Sequence, residues 1–179
     1  MLEKENISLE NMNSFRVVHK TKRLLIINNP IDLTKFLNTN NIDRNEIQIL
    51  GEGSNTLFTK DYEGIILHSQ IKGIEIKKED NDSVILRVGS GENWDEFVDY
   101  CVKSNYFGIE NLSLIPGSVG AAPIQNIGAY GVEIKDYVVS VKGIDLYSNE
   151  LVEYSNEECE FQYRDSLFKN RLKNRLFIT

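Results

Sequence analysis

The chain has 179 residues, 41% of them hydrophobic and 26% charged, with a formal net charge of −7 and a pI near 5.0. That is an ordinary globular composition, long enough for one large domain or two small lobes. The negative balance argues against a general nucleic-acid or anionic-membrane surface and leaves any anionic ligand to local amides and a few placed cations.

The first ten residues are of mixed charge and lack the apolar core of a signal peptide. No run approaches the about 18 uninterrupted apolar residues of a membrane span. The chain therefore reads as cytoplasmic. An apolar run over residues 24–27 predicts a short strand that stops at Asn28-Asn29-Pro30. Asn29 then suits a helix cap, Pro30 the first turn, and Asp32 the positive end, with Ile31, Leu33, Phe36 and Leu37 on the apolar side. Further strands are expected over residues 47–50, 65–67 and 74–76, giving a small βαββ-like lobe. Val84, Leu86 and Val88 alternate as a strand. Beyond Gly89-Ser90-Gly91, Asn93 caps a helix whose core stripe is Trp94, Phe97, Val98, Cys101 and Val102. Val139, Val141 and the run 151–154 predict antiparallel strands around a turn at 147–150. Residues 176–179 end the chain in an apolar β-type run.

Two segments stand apart from this pattern. Gly51-Glu52-Gly53-Ser54-Asn55 follows directly on a strand, and such a loop offers unpaired amide hydrogens suited to a pyrophosphate. By itself it equally suits a plain glycine turn. It is not a Rossmann fingerprint, because no G-x-G-x-x-G occurs. Residues 116–131 hold four glycines, two prolines, three alanines and no charge. A buried helix would not tolerate so many glycines, whereas backbone in close approach to a flat or phosphorylated ligand requires them. In this reading Ser118 caps a short helical turn, and Gln125 and Asn126 bond a heterocycle edge. Ile124, Ile127 and Ala129 form an apolar floor, and Tyr130 adds a ring with a polar tip. The competing reading is a tightly packed crossover between lobes.

Tyr163-Arg164-Asp165-Ser166 brings the rigid fork of an arginine, suited to a carboxylate, next to an Asp that equally suits a surface ion pair. His19 and His68 are isolated, and Cys101 and Cys159 have no metal-like spacing, so no metal site is expected. Trp94 reads as core, and Lys77-Lys78-Glu79-Asp80 as an exposed turn.

Taken in order, residues 51–55, 115–131 and 163–169 resemble the signature of the UDP-N-acetylenolpyruvoylglucosamine reductase family, bacterial cell-wall enzymes of peptidoglycan synthesis. The resemblance implies an α+β, two-lobed FAD-binding domain of the p-cresol-methylhydroxylase or vanillyl-alcohol-oxidase type. Residues 1–70 would form the first lobe and residues 71–179 the second, without the substrate-binding domain with which family members continue. It assigns to non-covalent FAD the residues Gly51, Gly53, Ser54 and Asn55, then Pro116, Gly117, Ser118, Gly120 and Ala121. Ile124, Gln125, Asn126, Gly128, Ala129, Tyr130 and Gly131 complete that set.

The implied reaction passes hydride from NADPH to the flavin and on to the enolpyruvyl double bond of UDP-N-acetylglucosamine enolpyruvate; protonation completes a lactyl ether. Arg164 is the implied catalytic residue at the enolpyruvyl group, with Tyr163 beside it in substrate binding. The proton donor is expected beyond Thr179, so this chain alone is expected to be catalytically incomplete, with an open C-terminal edge prone to self-association. Two other readings stay open: another oxidoreductase of the same flavin fold, and a non-catalytic nucleotide-binding module. A covalent flavoprotein would need a histidine or cysteine in the glycine segments, and neither occurs there.

Overall fold

The structure, a computed structural model, describes residues 1–179. Its first sheet contains β1 (Leu2–Ser8), β2 (Lys20–Ile27), β3 (Ile47–Leu50) and β4 (Tyr62–Ser69), in the order β1-β2-β4-β3. β2 and β3 both run parallel to β4, and β1 closes the far edge antiparallel to β2. Helix α1 (Pro30–Thr39) makes the crossover from β2 to β3. The Asn29 side chain accepts from the Ile31 amide at 2.9 Å, and Pro30 occupies the first turn, as expected from their chemistry. Leu33, Phe36 and Leu37 are buried, but Ile31 is exposed.

Alternation along the inner strands gives this sheet two apolar faces. Leu25, Ile27, Ile65 and Leu67 point to a core shared with α1, while Leu24 and Ile66 point to a second core with Leu9, Leu50 and Phe58. β4 extends well beyond the expected run 65–67, and β1 has no counterpart among the expected strands. β1 is LEKENIS, exposed at every position except partly buried Ile7. Backbone pairing with β2 holds it, and a strand without a core face leaves no hydrophobic period to read.

β5 (Ile74–Glu79) and β6 (Val84–Val88) form a separate antiparallel hairpin, so the run 74–76 does not extend the first sheet. Helix α2 (Trp94–Lys103) follows, with the Asn93 side chain accepting from the Glu96 amide at 3.1 Å. Trp94, Val98 and Cys101 are buried in the α2 core, Phe97 packs against it, and Val102 faces solvent. A short ribbon of β7 (Gly128–Ala129) and β8 (Val132–Glu133) precedes β9 (Ser140–Asp145), β10 (Leu151–Ser155) and β11 (Leu176–Ile178). The last three form a sheet in the order β10-β9-β11. The α+β class read from the sequence holds.

This last sheet is joined to the first. Ile144, Leu146 and Phe177 lie in the core of the first sheet and α1. The Arg44 Nε donates to the Leu146 carbonyl at 2.8 Å, while its other nitrogens donate to the carbonyls of Leu37 and Ile42. Asp145 locks the β9–β10 turn: its Oδ1 accepts from the amides of Tyr147 and Ser148, and its Oδ2 from Arg175 Nε at 2.7 Å. Burial pushes the Asp145 carboxyl upward, but the Arg175 guanidinium and the two amides outweigh it and hold the pKa below the usual carboxylate value.

Two outcomes are expected from this packing. Asp145→Ala should lower the unfolding free energy by about 2 kcal/mol in urea titration, since the deletion leaves charged and amide donors unmatched. Because the folded pKa is depressed, the wild-type contribution is present at neutral pH and lost as pH falls through that value, so the gap to Asp145→Ala should close in acid. Burial also pushes the thiols of Cys101 and Cys159 up, to about 11 and about 12. Neither should react with iodoacetamide at pH 8 in the folded chain, whereas both should react in denaturant.

Candidate functional site

The first glycine loop leaves the sheet at the carboxyl end of β3, where Leu50 pairs with His68 of β4. Residues 51–55 and residues 70–73 therefore depart from the sheet side by side, the position in which open α/β sheets present loops to ligands. His68 Nδ1 lies 3.1 Å from the Leu50 carbonyl, so it carries the proton, and Nε2 accepts from Gln70 at 2.8 Å. That makes His68 a brace at the base of the loop.

None of the five backbone amides of Gly51, Glu52, Gly53, Ser54 and Asn55 donates to any protein acceptor. The loop is nevertheless held firmly by its other groups. The Gly53 carbonyl accepts from the Ser14 amide at 3.2 Å, Ser54 Oγ donates to the Pro116 carbonyl at 3.2 Å, and Asn55 Nδ2 donates to Gln125 Oε1 at 2.9 Å. Glu52 accepts from Asn93 Nδ2 at 3.1 Å. A run of free N–H groups on a frame of side-chain and carbonyl contacts offers donors that an anion can use.

Residues 116–131 lie against this loop. Residues 119 and 120 donate to the carbonyls of Glu92 and Ser90, and the Trp94 amide donates to the Gly117 carbonyl. A 3₁₀ helix spans Val119–Gln125. Ser118 stands at its cap position, 8% exposed, but its side chain makes no cap bond; the expected capping by Ser118 is not realised. Its hydroxyl lies instead 3.2 Å from where a Cβ on Gly51 would be. Gln125 is tied to Asn55, as above. Asn126 is fully buried in left-handed backbone, φ 43°, with Nδ2 donating to the Gln162 carbonyl and Oδ1 accepting from the Lys135 amide. Both its amide groups are thus engaged within the protein, and the expected heterocycle contact does not fit this geometry. Ile127 faces the α2 core, while Ile124 is half-buried against the core of Cys159 and Leu167. Tyr130 and Gly131, at φ 52° and 82°, form the two-residue turn of the β7–β8 ribbon, and the Tyr130 ring is exposed.

Arg164 approaches this segment directly. Its Nη2 donates to the Gly128 carbonyl at 2.8 Å, and its backbone sits at φ 53°. The neighbouring Asp165 accepts from Asn170 at 2.9 Å, so the surface ion pair allowed by the sequence does not form. Tyr163 is exposed beside Arg164. Ser166 is buried and bonds backbone on both sides, donating to the Ile124 carbonyl and accepting from the Phe168 amide.

Sequence reasoning missed two supports of the site. One is the turn at Asn13, whose buried side chain donates to the carbonyls of Leu9 and Val17 and accepts from the Val17 amide, setting Ser14 against Gly53. No sequence signal marks a lone Asn for this task. The other is Ser90, whose hydroxyl lies 2.6 Å from that of Ser69 and whose carbonyl holds residue 120. Its flanking glycines were the available signal. No group of His, Cys, Asp and Glu is placed to hold a metal, and no helix is long and apolar enough to cross a membrane.

Two of the glycines in these segments are required by the packing of the protein itself. A Cβ on Gly53 would fall 2.0 Å from the Met12 carbonyl oxygen at φ +70°, and one on Gly120 would fall 2.5 Å from Ser90 Cβ. These glycines admit protein backbone, not ligand alone. Gly53→Ala should therefore cost about 2 kcal/mol or more in chemical denaturation even without ligand. Gly131→Asn, in open space within a two-residue turn that favours Asn, should stay within about 1 kcal/mol of wild type.

Comparison with known proteins agrees with this layout. The family of the FAD binding domain matches residues 21–154. A UDP-N-acetylenolpyruvoylglucosamine reductase of Amoebophilus asiaticus is 43% identical over 174 residues, 97% of this chain and 51% of that protein. One from Bacteroides fragilis is 55% identical over 130 residues, 73% of this chain and 39% of that protein. The chain thus spans about half the length, or less, of these curated relatives. The crystal structure of the Thermus caldophilus UDP-N-acetylenolpyruvylglucosamine reductase superposes with a TM-score of 0.72 at 22% identity, covering 92% of this chain and 57% of that one, which establishes the shared fold. The chain belongs to the FAD binding domain family and is homologous, over nearly its whole length, to UDP-N-acetylenolpyruvoylglucosamine reductases.

Proposed function

We propose that the chain binds FAD non-covalently and is the flavin-binding portion of a UDP-N-acetylenolpyruvoylglucosamine reductase acting in peptidoglycan precursor synthesis. The observation that carries this reading is the run of five unpaired amides at residues 51–55, within a domain of the FAD-binding family. FAD, when bound, supplies a hydride relay between NADPH and the enolpyruvyl double bond of UDP-N-acetylglucosamine enolpyruvate. The chain's own residues have simpler tasks. Gly51, Gly53, Ser54 and Asn55 hold the diphosphate through backbone amides, which require no net positive field in a chain of charge −7.

Residues 116–131 supply the backbone and apolar surface beside the ring system. Arg164 faces this segment with one nitrogen on the Gly128 carbonyl and no carboxylate partner of its own, so its remaining donors can take up the substrate carboxylate and stabilise negative charge developing next to it. Tyr163 and Tyr130, both exposed, flank that approach. In this reading the lobes divide near residue 70, with the site at their junction, and the enzyme works in the cytoplasm.

The homology favours this activity over another flavin oxidase, and the burial of both cysteines disfavours covalent attachment through sulfur. The chain should bind FAD at least about 100-fold more tightly than riboflavin, because a diphosphate engaging several amides is worth roughly 3 kcal/mol or more. Bound flavin should leave completely on denaturation. In the complete enzyme, titrating the enolpyruvyl UDP-sugar into the FAD-loaded protein should perturb the flavin absorption saturably. Arg164→Lys should weaken that response about tenfold, by loss of the two-pronged contact, with FAD affinity unchanged. Equal affinity for FAD and riboflavin, or an Arg164→Lys titration identical to wild type, would count against the assignment.

A further inference from the structure

Arg164 sits at the middle of a tight turn in which the Gln162 and Asp165 backbones exchange hydrogen bonds of 3.0 and 3.1 Å. The turn itself is exposed, and so is the bond from Arg164 to the Gly128 carbonyl. An exposed hydrogen bond on a flexible side chain fixes little when water competes for both partners. Yet the guanidinium must be held in register for its charge to act on a reacting group.

Two buried side chains supply that register, one on each side of Arg164. Two residues before it, the Gln162 carbonyl accepts from Asn126 Nδ2 at 2.9 Å. Two residues after it, Ser166 Oγ donates to the Ile124 carbonyl at 2.6 Å and accepts from the Phe168 amide at 3.2 Å. Asn126 is fully buried and Ser166 is 1% exposed. Both struts land on residues 124–126, the end of the 3₁₀ helix that leads into Gly128. Asn126 is fixed in turn by the Lys135 amide at 3.1 Å. The turn carrying Arg164 is therefore pinned to the glycine segment at 124, 126 and 128 in succession.

We infer that Asn126 and Ser166 are positioning residues that couple the Arg164 turn to the cofactor segment, so that occupancy of the flavin site rigidifies the substrate-facing guanidinium. The inference rests on the FAD reading given above. It gives the buried Asn126 a task other than ligand contact, and it gives the Ser166 hydroxyl a structural partner on each side in place of a chemical role.

Hydrogen exchange on the full chain tests it, with and without FAD. In the FAD-free protein, Ser166→Ala should raise exchange about fivefold, the loss of one buried hydrogen bond, at residues 165–168 and also across the gap at 124–128. Asn126→Asp, of nearly the same shape but without the donor to Gln162, should raise exchange at the same two segments. Ser166→Thr, which keeps the hydroxyl, should restore wild-type exchange at both. FAD should slow exchange at 162–168 in wild type and in Ser166→Thr, and should do so much less in Ser166→Ala and Asn126→Asp, while still protecting 51–55 in all four proteins. A merely structural role would raise exchange with and without FAD alike and leave the FAD-dependent difference unchanged. Acceleration confined to one side of the gap, or protection by FAD at 51–55 and 116–131 that never reaches 162–168, overturns the coupling. If wild type binds no FAD, the cofactor reading falls, and the FAD-free arm alone decides whether the struts connect the two segments.

Discussion

The site depends on backbone packed against backbone at glycine. Gly53 sits where any side chain would meet the Met12 carbonyl, and Gly120 where it would meet Ser90. These contacts bring three separate stretches of chain (residues 12–14, 51–55 and 116–120) within hydrogen-bonding reach of one another. They are made largely through carbonyls and side chains, so the amide hydrogens of residues 51–55 are left over. Unpaired amides are costly if buried and useful if a ligand can reach them. Amides presented in this way would serve an anion in a chain of net charge −7 without a basic patch.

Around that junction the fold supplies rigidity from unlike sources. The first sheet places the glycine loop at the end of β3 and braces it through His68. The start of helix α2 contributes Asn93, whose side-chain Oδ1 caps the helix while its Nδ2 donates to Glu52. The β9–β11 sheet, anchored by Ile144, Leu146 and Phe177 in the first core, carries Arg175 onto Asp145. From the same half of the chain, the turn at residues 162–166 reaches back to residues 124–128. Each of these hydrogen bonds is worth about 1 kcal/mol net, so the site owes its shape to their number and to the burial of Asn13, Asn126 and Ser166.

Much of this was legible in the sequence, for identifiable reasons. Glycine-dense, charge-free segments announce a backbone-level task, and Asn29, Pro30 and Asn93 announce helix starts, because those residue types are selected by local geometry. β1 was invisible because its strand character comes from pairing with β2 and not from a hydrophobic period. The direction of an amide side chain was equally hidden. Gln125 and Asn126 are adjacent and chemically alike, yet one meets Asn55 and the other turns inward to Gln162 and Lys135. Left-handed backbone at Asn126 makes that difference, and nothing in the residue order reports it. Ser118 failed as a cap for a related reason: its segment is tied by the amides of residues 119 and 120 to Glu92 and Ser90, which satisfies the helix start without its hydroxyl.

The central claim is that the free amides of residues 51–55 are the diphosphate site. Amide proton and nitrogen chemical shifts of these five residues, followed by NMR as FAD is added, test it most directly. Each amide that gains a phosphate acceptor should move downfield and slow in exchange, and pyrophosphate alone at high concentration should move the same resonances in the same direction. FAD binding that leaves these five resonances in place while shifting others would contradict the account.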